Sequence, residues 1–232
     1  MNIADIRKHF IQELLNDNYT TDRNGGKTIE LLGASFIANE DAIFGTPNRD
    51  YIETELEWYE SESTNVNDIY DDYREAPAAW LMTANAHGEI NSNYGHLIFS
   101  DSYYRQFENA LNELVWNQDS RRASMIYQRP SIWSDFNENG KSDFICTNAV
   151  TYYIRNGKMN CVVQMRSNDV VFGYKNDYAW QAYVLSEMVN QYNQDKIMEH
   201  EEASRDMQLD VGTITWQVQN LHVYERHFNL VK

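Results

Sequence analysis

Residues 142–167 read SDFICTNAVTYYIRNGKMNCVVQMRS, and this run decides the fold. Thr147 to Ile154 (TNAVTYYI) is rich in β-branched and aromatic residues, a strand entered from a polar loop. Arg155-Asn-Gly-Lys158 holds the Asn-Gly pair of a tight hairpin, and 159–167 (MNCVVQMRS) makes the returning strand. Cys146 therefore stands where the first strand begins. Outward from the hairpin, 121–128 (RRASMIYQ) reads as another strand and 212–229 as a closing β pair, while Asn24-Gly25-Gly26 is a turn feeding a further strand. Helical spacing runs through 4–16 (Ile6, Phe10, Leu14), 50–60 (Ile52, Leu56, Tyr59) and 102–116 (Tyr103, Phe107, Ala110, Leu111, Leu114). It returns from Asp177 onward through Trp180, Tyr183, Val184 and Met188. Helices and strands mix without regular βαβ alternation, which predicts an α+β fold built on a mixed, largely antiparallel sheet packed with helices.

At 232 residues the default is a single domain spanning 1–232. Nineteen Lys+Arg against 35 Asp+Glu give a net charge of −16, which disfavours a direct nucleic-acid partner. A small anion in a local arginine pocket is compatible with that charge, because convergent guanidiniums act at short range. No segment has the roughly 18 apolar residues of a membrane span. The opening MNIADIRKHFIQELL lacks a secretory layout and the chain has two cysteines, so the expectation is a reducing cytoplasm with Cys146 a free thiol.

Several motifs fail on spacing. Gly26-Lys27-Thr28 ends like a P-loop, yet the glycine needed five positions earlier is Thr21. Asp135-Phe-Asn-Glu-Asn-Gly140 copies half a calcium loop, but its twelfth position is Cys146 instead of a bidentate glutamate, so a polar turn is expected and no metal. The six histidines form no HExxH, and there is no GxSxG. Read from residues alone, Cys146 and Cys161 are core cysteines, Glu55 is one solvated charge among Glu53 and Glu57, Arg121-Arg122 an exposed turn, and Asp177 a helix cap.

A longer pattern changes the weighting. Cys146 at a strand start, a hairpin, Gln164-Met-Arg-Ser-Asn-Asp169 and Phe172-Gly173 through Asp177-Tyr-Ala-Trp180 together resemble the thymidylate synthase superfamily, with its catalytic cysteine and QRS-x-D run. Glu55-Leu-Glu-Trp58, Asn93-Tyr94-Gly95, Ser120-Arg121-Arg122, Leu221-His222-Val-Tyr224 and Asp22-Arg23 resemble further blocks of that family, in order, over about residues 20–228. The synthases place His after the nucleophile and Asn at the base-reading position, whereas this sequence has Thr147 and Asp177. Those departures resemble the superfamily's deoxycytidylate-hydroxymethylating branch of T-even-type phages.

The resemblance implies a thymidylate synthase-like fold, a homodimer built on a sheet face, and covalent catalysis. Cys146 would add to C6 of dCMP, and C5 would take the one-carbon unit of 5,10-methylene-tetrahydrofolate. Water would then give 5-hydroxymethyl-dCMP and tetrahydrofolate. Glu55 and Tyr94 would handle protons, and Arg166 would favour the thiolate. The phosphate would meet Arg23, Arg166 and Ser167 of one subunit and Arg121 and Arg122 of its partner; His222 and Tyr224 would hold the 3′-hydroxyl; Asp169 and Trp80 would contact the folate. Asp177 suits cytosine, which offers an amino donor beside the N3 acceptor, and capping and base reading can coexist there. The alternatives are a dUMP hydroxymethylase, a thymidylate synthase, or an inactive binding subunit of a nucleotide-synthesis complex, with other nucleotide-synthesis enzymes as partners. For a phage protein the cytoplasm would be the host's. The synthases continue into a tail that closes over folate, while this sequence stops at Phe228-Asn-Leu-Val-Lys232, which favours water access or weakens folate binding.

Overall fold

The computed structural model describes residues 1–70, 73–199 and 208–232. In chain order its helices are α1 (Ile3–Leu15), α2 (Arg49–Glu60), α3 (Ala78–Leu81), α4 (Tyr94–Phe99), α5 (Gln106–Trp116), α6 (Ile132–Asp135) and α7 (Gly173–Glu199). The strands are β1 (Thr20–Thr21), β2 (Lys27–Ile37), β3 (Ser124–Ile126), β4 (Thr147–Arg155), β5 (Lys158–Asp169) and β6 (Asp210–Tyr224). They form one sheet in the order β1-β2-β6-β5-β4-β3.

The central hairpin follows from its turn. Asn156 and Gly157 both have positive φ, 54° and 69°, as the turn that matches strand twist requires, and Arg155 pairs with Lys158. Alternation then sends Met159, Cys161, Val163 and Met165 of β5 into the core beside Val150, Tyr152 and Ile154 of β4. Every pairing is antiparallel except β5 with β6. A parallel pair needs a crossover; α7 lies in it and buries Trp180, Val184, Leu185 and Met188. The opposite face carries Ser35, Gln164 and Gln219, with Gln164 bonded to Gln217 at 3.1 Å.

Four expectations need correction. The strand at 121–128 shrinks to Ser124–Ile126, because the N–H groups of Tyr127 and Gln128 both donate to the Asn148 carbonyl, at 3.0 and 3.1 Å, and break the ladder on β4; the Gln106 side chain takes the outer edge at Ile126, bonding its N at 2.7 Å and its O at 2.8 Å. Helix α5 starts at Gln106, not 102, since Tyr104 and Arg105 sit at φ 65° and 48° and break the helical run. The closing β pair is one long strand, β6, followed by a short helix at Glu225–Leu230; its partners, β2 and β5, come from elsewhere in the chain. Asp177 lies in the second turn of α7 and does not cap it. Asp169 fills that role, accepting from the N–H groups of Val171, Phe172 and Gly173 at 3.2, 2.9 and 3.4 Å.

Candidate active site

Strand directions gather the site at one end of the sheet. Because β4 runs antiparallel to β5, the entry to β4 (Cys146, then Thr147) meets the end of β5 (Arg166, Ser167, Asp169), with Arg166 N donating to the Cys146 carbonyl at 2.9 Å. The parallel β6 ends at the same level, pairing Ser167 with Asn220 and Asp169 with His222. The antiparallel β2 begins there, pairing Glu30 with His222 and Thr28 with Tyr224. The result is a cleft of about 670 Å³ lined by Arg23, Cys146, Arg166, Ser167, His222 and Tyr224. Sequence reasoning missed Arg226, Glu30, Asn220 and Asp143 in the same wall. Arg226 stacks on the Tyr224 ring at 4.4 Å, and Asn220 donates to Glu30 at 3.1 Å.

Cys146 is a free, partly buried cysteine. Arg166 Nη2 lies 3.4 Å from its Sγ, and the Arg166 side chain is fixed by donating to the carbonyls of Phe144 and Ile145. Burial pushes the thiol up to about 11; Arg166 pulls it down, while Asp177 and Asp143 push it further up. The sulfur is a thiol beside a guanidinium placed to stabilise its anion. Cys161 is buried in the core, as expected.

Glu55 is 5 % exposed, far from a solvated helix charge. It accepts from the Tyr51 hydroxyl at 2.5 Å and from the Trp80 indole at 3.0 Å. Burial raises its pKa, and those two hydrogen bonds oppose the rise. Tyr51 went unnoticed in the sequence, although it lies one helical turn before Glu55. Trp80 sits on α3 and packs edge-on to Trp58 at 5.1 Å. Tyr94, the first residue of α4, stacks on Tyr59 at 5.5 Å and its phenol is pushed up by burial. Helix α4 can approach α2 this closely because residue 95 is glycine: a Cβ there would lie 1.7 Å from the Tyr59 carbonyl oxygen. Asp143 ties the loop before Tyr94 to the loop before Cys146, accepting from Asn91 N at 2.6 Å and Ser92 N at 2.8 Å.

Asp177 is half-buried, and Asn168 Nδ2 donates to its Oδ2 at 2.7 Å. Burial, with Glu55 and Asp169 nearby, pushes its carboxyl up to about 8 against the effect of Asn168. The group therefore keeps its proton through neutral pH. His222 is lowered by burial, so its imidazole stays neutral there too. Arg121 and Arg122 are not brought to this cleft within the chain: β3 pairs Ser124 with Thr151, well along β4 from Cys146, and Arg122 bonds Glu113 at 2.9 Å. The half calcium loop runs from the end of α6 into a short 3-10 helix at Glu138–Gly140, and its Asp135 is taken by Arg129 at 2.7 Å. No group of three or more His, Cys, Asp or Glu suited to a metal occurs among the described residues, and no helix among them is long and apolar enough to cross a membrane.

Comparison with known proteins agrees with this geometry. The family model described as thymidylate synthase matches residues 8–232. The deoxycytidylate 5-hydroxymethyltransferases of Enterobacteria phages T4 and T2 are each 50% identical over 231 residues, which is 100% of this chain and 89% of theirs. A thymidylate synthase of Francisella tularensis subsp. holarctica is 23% identical over 187 residues, 76% of this chain and 62% of that one. Among solved structures, thymidylate synthase from T4 phage aligns with a TM-score of 0.72 at 20% identity, covering 95% of this chain and 77% of that one, a likeness of fold.

Proposed function

Because the chain belongs to the thymidylate synthase family, we propose that it is a deoxycytidylate 5-hydroxymethyltransferase, acting through one catalytic domain over residues 1–232. The observation that carries this reading is Asp177, a carboxyl held by Asn168 and raised to about 8 at the position where the synthases carry an asparagine. A protonated carboxyl can share its proton with cytosine N3, so charge building on the ring as sulfur adds is met by a proton already in place.

Cys146 Sγ adds to C6 of the base, its proton leaving as Arg166 stabilises the anion. Methylene-tetrahydrofolate, the family's co-substrate, supplies the one-carbon unit to C5 and departs as tetrahydrofolate. Loss of the C5 proton leaves an exocyclic methylene; hydroxide from water bonds to it, and the C6–S bond breaks to restore the ring and the thiolate. Glu55, with Tyr51 and Trp80 on its carboxyl, orders that water and handles its proton; Tyr94 assists proton transfer near the base. Arg23, Arg166 and Ser167 hold the phosphate and His222 with Tyr224 the 3′-hydroxyl, while Asp169 and Trp80 border the folate.

Arg121 and Arg122 complete the phosphate site from a second subunit. Their distance from the chain's own cleft and the open face of the sheet around Gln164 and Gln219 support a homodimer with shared sites. The setting is the cytoplasm of a phage host. 5-Fluoro-dCMP tests the chemistry, because fluorine replaces the proton that must leave C5. Incubation with it and methylene-tetrahydrofolate should leave a covalent adduct on the Cys146 peptide by mass spectrometry. A protein that stays unmodified under saturating ligand contradicts the proposal.

A further inference from the structure

Asn168 is 4 % exposed at the end of β5, between Ser167 and Asp169. Its amide donates to Asp177 Oδ2 at 2.7 Å, yet its own Oδ1 is buried without a hydrogen-bond partner. A buried orphan acceptor is costly, and an aliphatic side chain of similar size would avoid that cost. Folding alone therefore gives no reason for an amide here. The donor half of the side chain does: it is directed at the carboxyl that the proposed function assigns to reading the base.

A neutral carboxyl alone is a poor reader. Its proton can sit on either oxygen, so it can face cytosine as a donor to N3 or face uracil as an acceptor from N3–H. An N–H fixed on Oδ2 removes that freedom, because the oxygen accepting a hydrogen bond is favoured as the bare one and the proton is left on Oδ1. We propose that Asn168 is a specificity-determining positioning residue, locking the Asp177 carboxyl so that Oδ1–H meets N3 of an aminopyrimidine and rejects the N3–H of uracil. The inference rests on the reading of Asp177 given above.

The test compares Asn168→Leu with wild type, using dCMP and dUMP and methylene-tetrahydrofolate. The ratio of kcat/KM for dCMP over dUMP should fall by about tenfold or more, since a mispaired buried donor weighs heavily in discrimination. The pH profile should move as well: with the opposing amide gone, the limb set by Asp177 shifts to higher pH. Tm should hold or rise. A ratio within twofold of wild type, or equal losses on both substrates with a lowered Tm, overturns the proposal and leaves Asn168 a packing residue. Asn168→Ala provides the same comparison should the leucine variant fail to fold. Equilibrium dialysis of dCMP and dUMP separates this idea from the reaction itself. If wild type makes no product, the proposed function falls, while a changed ratio of dissociation constants still upholds Asn168 and an unchanged one overturns it.

Discussion

Replacing Asp177 by asparagine should change stability in a pH-dependent way. The folded carboxyl titrates at about 8 against 3.8 for an ordinary aspartate, with burial the main cause. Above pH 4 an unfolded chain ionises this group freely, whereas the folded chain holds its proton, so folding takes up a proton and wild-type stability falls as pH rises from about 4 to 8. At pH 8 the gap of about four units corresponds to on the order of 5 kcal/mol, which solvent at a half-buried side chain trims to about 2–4 kcal/mol. Asparagine does not titrate, so Asp177→Asn should gain that much relative to wild type at pH 8 and almost nothing at pH 4. With a urea m-value of about 3 kcal/mol/M, the midpoint difference should grow by about 1 M across the range. Urea melts of both proteins at pH 4, 6 and 8, followed by fluorescence, measure it. Parallel curves at all three pH values would refute the claim that the folded site holds a protonated Asp177.

Other predictions concern the remaining groups. Iodoacetamide labelling of Cys146 should keep accelerating up to about pH 11, reflecting the burial-raised thiol, and Arg166→Leu should push that rise further up; a plateau near pH 8.5 counts against the burial argument. Trp80→Phe removes the indole donor from Glu55, so kcat should drop by about tenfold with the KM for dCMP little changed; a change confined to the KM for folate would make Trp80 a binding residue only. Arg121→Ala should raise the KM for dCMP about tenfold. Mixing it with inactive Cys146→Ser should restore activity through hybrid dimers, which sites confined to one subunit would not do.

The sequence made the hairpin legible because Asn156-Gly157 fixes its turn and alternation fixes its faces, both local signals. The hairpin also places Cys146, at the entry to its first strand, beside Arg166 and Ser167, at the end of its second, while their roles rest on the family resemblance. What stayed hidden depends on long-range pairing. Nothing local to 212–229 says that β6 runs unbroken between β2 and β5, and so nothing announces that Glu30, Asn220 and Arg226 share one wall. Residues alone put Glu55 on a solvated helix face and only the family resemblance gives it a role, because its burial depends on α3 laying Trp80 across it. The capping half of the reading of Asp177 belongs instead to Asp169, because α7 starts at Gly173, one turn before the apolar spacing begins, where that carboxylate accepts from the backbone.

The most direct test supplies the purified protein with methylene-tetrahydrofolate and either dCMP or dUMP and weighs the nucleotide product by mass spectrometry. The account predicts a hydroxymethyl group on dCMP and essentially none on dUMP. Equal hydroxymethylation of dUMP, or a methyl group in its place, would contradict it.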